Sequence, residues 1–475
     1  MTDAPLPTQA PSDPAARTAD GPDSARRTRP AGTNPPGTVP GPLGGVTASV
    51  GGGLPGQQPG NLSGRPKEPP RVGIAYFVGM FLAQFGICAA LITPVMVTMQ
   101  LKAQEISPEN PAAVIGAVLP VGAIGALVAN PLAGALSDRT RTRWGRRRPW
   151  LVGGIVGLTL ALVGVALSTS ILALTIFWLI AQVVANATLA ALVASFADNV
   201  PSVQRGRGSS IINIGQNVAI LAGTYLSVGL VDHLAILFIA PGVLGIVLVA
   251  IYALIARDEL PERRPAPLRL RTLIASFWTN PLKHRDFGLA WWSRFFIILG
   301  SFMFTTFRLL YMQQHLGLDA AHATGAVALG VLLYTIALLV ATSFVGAASD
   351  KLGRRKIFVI GSALLFAVGT LVLAFAGDVA HFYLAEIILG FAYGMYMAVD
   401  VALVVDVLPD PEKPGKDLGV INIANALPQS FASPFALIFL GIGVSGTDNY
   451  TAMLIAAAVV TVLGALAIVP IRKVR

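Results

Sequence analysis

Four ionisable residues stand inside runs that are otherwise apolar: Arg294 and Arg308 in one run, Glu386 and Asp400 in another. A lone charge in hydrocarbon is costly, so such residues are expected to face a protein interior, find partners and mark the place where ions or polar solutes are handled. Depth along the runs suggests the pairing. Arg294 lies six residues into its run and Asp400 six before Asp406, roughly 9 Å from the same end at 1.5 Å per helical residue. Arg308 and Glu386 sit toward the opposite end. Arg294 with Asp400 is therefore the expected coupling or substrate-binding pair, and Arg308 with Glu386 an outer gate. Protonating Asp400 would release Arg294, a route from proton load to conformational change. The alternative is that both pairs are purely structural.

Neutral hydrogen-bonding groups form a second set. Gln182 and Asn186 are four apart, as are Asn213 and Asn217; Asn422, Asn425 and Gln429 follow spacings of three and four. Each group shares one helix face. Aromatic residues Trp291, Trp292, Phe304, Tyr311, Tyr393 and Tyr396 offer stacking surfaces. Amides that both donate and accept, together with ring faces, suit a polyhydroxylated neutral solute such as a sugar. Gln182, Asn186, Asn217, Trp292, Tyr393, Tyr396 and Asn425 are the candidate substrate contacts, Asn213 and Asn422 lying nearer an inner gate. Against this, polar residues in apolar helices often serve only to tie helices together.

The elements that must position these residues are membrane spans. Of 475 residues 54% are apolar and only 12% charged, far below the roughly 25% charged of a soluble domain. Residues 1–70, crowded with Pro, Gly, Ser and Thr, offer no periodic apolar face and read as a disordered tail. Beyond them, apolar runs fall at about 72–100, 112–136, 150–168, 171–197, 209–231 and 234–256, then 288–312, 322–348, 357–376, 381–407, 418–440 and 450–470. Each is long enough to cross a bilayer as a helix. The expected architecture is all-α: twelve spans in two six-helix bundles, 71–256 and 288–475, joined by a loop over 257–287. Lys and Arg crowd alternate loops, with Lys102 alone on the other side, so both termini are expected in the cytoplasm of a plasma-membrane protein.

The chain also repeats. Gly134-Ala-Leu-Ser-Asp138-Arg139 closes the second run and Gly346-Ala-Ala-Ser-Asp350-Lys351 the eighth, each followed by Gly-Arg-Arg, at Gly145-Arg146-Arg147 and Gly353-Arg354-Arg355. Asp198-Asn-Val-Pro201 is echoed by Asp406-Val-Leu-Pro409. Two matched sets at nearly one offset indicate two homologous halves. A carboxylate at a span end can pair with guanidinium and face a helix N-terminus, holding the inner side closed. The alternative is that the arginines only fix topology.

This motif after spans two and eight of a 6+6 chain resembles the major facilitator superfamily, over about residues 71–475. The expanded first copy, Ser137 to Trp150, is similar to the sucrose-type proton/sugar symporters and, more loosely, to the glycoside-pentoside-hexuronide transporters. The resemblance implies alternating access and a cavity lined by spans one, four, seven and ten. It implies cytoplasmic-gate roles for Asp138 and Arg139 in one half and for Asp350 and Lys351 in the other; Arg146, Arg147, Asp198, Arg354 and Asp406, at the same span ends and loops, are further gate candidates. The chain departs from these relatives in span one, which carries Gln84 and Gln100 but no acid, and in span four, which has no arginine. Proton coupling, if used, must rest on the C-terminal half; facilitated diffusion is the other option, and sodium coupling is not expected.

The expected activity is transport of a sugar or glycoside, with proton symport; a drug or metabolite exporter on the same fold is the alternative, and a non-transporting sensor a distant third. No enzyme chemistry is expected, because the five histidines lack metal-ligand spacing and no nucleophile motif or phosphate-cradling loop is present. No cofactor, metal or nucleic-acid partner is expected. The partners are the solute, protons and membrane lipid, and the protein is expected to act as a monomer.

Overall fold

The computed structural model describes residues 69–258, 283–409, 414–442 and 449–471. The expected tail over 1–70 and the connecting loop over 257–287 lie almost wholly outside these residues. The described chain forms twelve helices long and apolar enough to cross a membrane. In the first half they are α1 (Ile74–Ile106), α2 (Pro111–Ser137), α3 (Arg148–Leu167), α4 (Ile171–Asn199), α5 (Arg205–Gly229) and α6 (Leu234–Ile255). The second half holds α7 (Arg285–His315), α8 (Ala320–Leu352), α9 (Arg355–Ala374), α10 (Val379–Val407), α11 (Pro414–Leu440) and α12 (Tyr450–Ile468).

Packing obeys the repeat. In the first half α1 lies against α5 and α6, α4 against α2 and α3, and α3 against α6. Six helices later the same partners recur: α7 against α11 and α12, α10 against α8 and α9, and α9 against α12. The halves meet chiefly through α2 with α11 and α5 with α8, two contacts that exchange under the swap of halves. Lipid is as apolar as leucine, so close packing and not hydrophobic burial holds such helices together. Gly86 and Gly245 show how: a Cβ on Gly86 would stand 2.9 Å from the Gly245 Cα, so α1 and α6 touch backbone to backbone.

Helix ends follow local chemistry. The first turns of α2, α4, α8 and α12 are capped by Asn110, Ser170, Asp319 and Asn449, whose side chains accept the amide three residues on, satisfying a donor the helix leaves open. α1 continues to Ile106, past the apolar run that ends near 100, and within this extension Lys102 pairs with Glu105 one turn away at 3.0 Å. Lys102 is thus a buried helical residue and not, as the sequence reading had it, a loop residue. Both α1 and α7 carry a π-helical turn near one end, Pro94–Thr98 and Tyr311–His315; in α1 the missing N–H of Pro94 accounts for the irregular ladder.

Candidate functional site

Two faces of the bundle can be named by their loops: the arginine face, bearing the α2–α3 and α8–α9 connections, and the far face opposite. Helix α7 starts at the arginine face and α10 ends there. Arg294 and Asp400 therefore meet at the same depth, Nη1 to Oδ2 at 2.8 Å. Asn425 on α11 supports the guanidinium from the side, its Oδ1 accepting from Arg294 Nε at 2.5 Å. All three are buried. Removing two charges from water costs several kcal/mol each, which attraction and added hydrogen bonds offset only in good geometry, and the third-helix amide supplies one such bond.

Toward the far face Arg308 and Glu386 form the second pair, Nε to Oε1 at 2.9 Å, with Nη2 donating to Oε2 at 3.3 Å. Glu386 is wholly buried, and the Arg308 guanidinium lies over the rings of Phe304, at 5.3 Å, and Tyr334, at 6.0 Å. Aromatic faces stabilise a desolvated cation electrostatically. Between the pairs run tyrosines: Tyr396 beside Asp400, Tyr393 6.0 Å from Tyr396 ring to ring, and Tyr334 6.5 Å from Tyr393.

The neutral set is less united. On α4 the Asn186 amide donates to the Gln182 backbone oxygen and Oε1, at 2.9 and 3.3 Å, and on α5 Asn217 donates to Asn213 O at 2.9 Å. Gln84 Oε1 and Asn217 Oδ1 are buried acceptors without a hydrogen-bond partner among the described residues; burying such a group unsatisfied costs about 1–3 kcal/mol, which a donor from a solute or water would relieve. Trp292 does not join the Arg294 cluster. Two residues along a helix is a turn of about 200°, and its indole is half exposed, stacked at 5.5 Å on Phe296.

At the arginine face the N-terminal half carries a dense ion cluster. Arg147, nearly buried, joins Asp138 and Asp198, its Nε 3.0 Å from Asp198, and its Nη1 donates to Ser137 Oγ at 2.6 Å. Arg146 also reaches Asp198, at 2.8 Å, while the Arg139 guanidinium donates to Ala135 O at 2.6 Å. Asp258, just beyond α6, accepts from the Arg147 and Arg148 backbone amides at 2.8 Å each, placing an anion on the positive N-terminus of α3. In the C-terminal half Arg355 pairs with Asp406 at 2.5 Å. Arg354 and Lys351 are exposed, and the Asp350 side chain lies outside the described residues. Each of these ion pairs joins elements of one half.

The sequence reading missed three residues. Arg355 was available, since it stands 208 positions after Arg147, the offset between Asp198 and Asp406. Asp258 and Tyr334 had no local signal. At the far face Gln100 Oε1 accepts from the Leu309 and Leu310 amides at 3.1 Å each, and Gln104 donates to Gln313, so α1 and α7 are joined across the halves. Among the described residues no group of three or more His, Cys, Asp or Glu could hold a metal ion.

The family model described as Major Facilitator Superfamily matches residues 73–337 and 325–475. An uncharacterized symporter of Synechocystis sp. is 52% identical over 50 residues, 10% of this chain and 9% of that protein; the chain thus matches only a small part of that curated relative. Among solved structures, a mutant form of the nucleoside transporter NupG superposes with a TM-score of 0.67 at 14% identity, covering 83% of this chain and 99% of the other. The xylose transporter XylE from E. coli, in a partially occluded inward open conformation, gives 0.59 at 15% identity, with 83% and 98% covered. At these identities the likeness is one of fold.

Proposed function

Because this chain belongs to the Major Facilitator Superfamily and is a multi-pass membrane transporter, we propose that it moves a sugar or glycoside by alternating access, in symport with a proton. The observation that carries this reading is the buried Arg294–Asp400 pair with Asn425 and the neighbouring tyrosines. An ion pair is an expensive way to join two helices, and hydrophobic side chains of similar volume often do as well or better. Its retention is explained if Asp400 accepts a proton during the cycle: a neutral Asp400 frees Arg294 to bind a solute hydroxyl or to let α7 and α10 part. The unpaired acceptors Gln84 Oε1 and Asn217 Oδ1 favour a solute rich in O–H donors, and Gln182, Asn186, Tyr393 and Tyr396 add amide and ring surfaces. Arg308 and Glu386 are assigned to the outer gate, and the clusters around Arg147 and Arg355 to the inner one. We assign the arginine face, with both termini, to the cytoplasmic side of the plasma membrane, the side toward which loop Lys and Arg are biased.

The test is uptake of labelled sucrose and glucose into vesicles reconstituted with the full chain, with and without an acid-outside gradient. Accumulation that needs the gradient supports the proposal. Uptake indifferent to it removes the proton, and extrusion of lipophilic cations with no sugar movement removes the sugar.

A further inference from the structure

One face of α10 links the two buried ion pairs. At 100° per residue, Glu386, Tyr393, Tyr396 and Asp400 fall within an arc of about 80°, so carboxyl, hydroxyl, hydroxyl and carboxyl succeed one another along a single stripe. Helix α8 lies directly against this stretch because glycine permits it. A Cβ on Gly390 would meet the Tyr334 Cα at 2.8 Å, and one on Gly394 the Leu338 Cα at 3.0 Å. That contact brings Tyr334 to the gap between Glu386 and Tyr393. Its ring is 6.5 Å from Tyr393 and 6.0 Å from the Arg308 guanidinium carbon. The inner end carries a matching sign of an unfinished network: the Tyr396 hydroxyl is buried and makes no well-aligned hydrogen bond, although Asp400 stands one helical turn away. A buried hydroxyl left in that condition is costly and is suited to a passing proton or water.

We propose that Tyr334, Tyr393 and Tyr396 form a proton path from Glu386 to Asp400, with Tyr334 the relay that joins the outer pair to the inner one. The proposal rests on the symport reading above and specifies its route. Glu386, protonated from the outer side, passes its proton to the Tyr334 oxygen as that hydroxyl gives its own hydrogen onward. The same exchange at Tyr393 and Tyr396 delivers a proton to Asp400, each O–H broken being matched by one formed. Water fills hydroxyl gaps too long for direct transfer. Arg308 and Arg294 are the charges facing the two ends, and each is released from its carboxylate as that carboxylate is neutralised.

Tyr334→Phe keeps the ring and removes the hydroxyl. In reconstituted vesicles, gradient-driven accumulation of labelled sucrose or glucose is expected to fall at least tenfold, while exchange of sugar between the two sides without a gradient stays within twofold. Accumulation at the wild-type level in Tyr334→Phe overturns the path and leaves the symport reading intact. A wild-type protein that exchanges sugar but never accumulates it overturns both. A second measurement needs no substrate: after a pH jump on the purified full chain, the infrared carboxyl band of Asp400, identified by its loss in Asp400→Asn, is expected to respond at least tenfold more slowly in Tyr334→Phe. Equal rates overturn the path.

Discussion

The two halves share helix partners but not chemistry. Where α7 and α10 bury two ion pairs, the corresponding helices α1 and α4 bury amides: Gln84 beside Cys88, and Gln182 with Asn186. The caps differ in the same sense. At the far face α2 and α4 begin on neutral Asn110 and Ser170, whereas α8 and α10 begin on Asp319 and Asp378, each bonded to the histidine three residues on. At the arginine face the contrast reverses, the first half holding a buried Arg147 among two carboxylates and the second, among the described residues, a half-buried Arg355 paired with an exposed Asp406. A duplicated scaffold therefore fixes where helices touch while leaving each half free to differ in what it binds. One half buries amides that can donate and accept hydrogen bonds, and the other buries groups whose charge can change.

That contrast can be broken most forcefully at Arg294. Arg294→Ala leaves Asp400 buried without its cation and is expected to destabilise the fold by about 3–5 kcal/mol, read as a lowered Tm in detergent, with Arg294→Ala/Asp400→Ala recovering much of the loss. Asp400→Asn, which keeps shape and loses charge, should abolish uphill uptake while sparing exchange, whereas Gln182→Ala in the neutral half should weaken sugar affinity without uncoupling. Full uphill uptake in Asp400→Asn would remove the division of labour.

The reversed contrast at the arginine face sets the next effects. Arg147→Ala removes hydrogen bonds to two carboxylates and is expected to cost about 1.5–3 kcal/mol, against less than about 1 kcal/mol for Arg355→Ala, a half-buried residue whose partner Asp406 is exposed to solvent screening. Equal losses in denaturation would show that burial does not separate the two clusters. Asp258→Ala strips the cap from α3 alone and should cost about 1 kcal/mol, seen as faster amide exchange at Arg147 and Arg148.

The smallest effect is one of pH. The backbone amide of His322, with its imidazole, holds the Asp319 carboxyl below its usual 3.8, and His381 does the same for Asp378. A depressed carboxyl stabilises its helix start above the ordinary value, and that contribution is lost as pH falls through the lowered one. Acidification from about pH 5 to below 3 should thus loosen the first turns of α8 and α10, but not those of α2 and α4, in hydrogen exchange. Uniform loosening would erase the difference between the caps.

Much of the site was legible because charge inside a span is rare enough to be informative by itself. Arg294, Arg308, Glu386 and Asp400 stand out in sequence, and a rise of 1.5 Å per residue is enough to match them by depth. Trp292 and Tyr334 mark the limit of that reading. Depth says nothing of azimuth relative to a neighbouring helix, so Trp292 reads from sequence as a candidate solute contact, while its indole is half exposed and stacked on Phe296. Tyr334 reaches the site only because α8 rests on Gly390 and Gly394. Asp258 caps a helix more than a hundred residues earlier in the chain, a relation no local pattern encodes.

Composition, span length and the repeated aspartate-arginine motifs determined the twelve helices, their pairing into halves and the concentration of membrane-buried charge in the second half, since hydropathy and periodicity are properties of the chain alone. Tertiary structure decided which arginine meets which carboxylate, that Asn425 completes the Arg294 site and that a tyrosine of α8 stands between the two pairs. Those relations depend on helix rotation and on close approach at glycine, and both are set only when neighbouring helices pack.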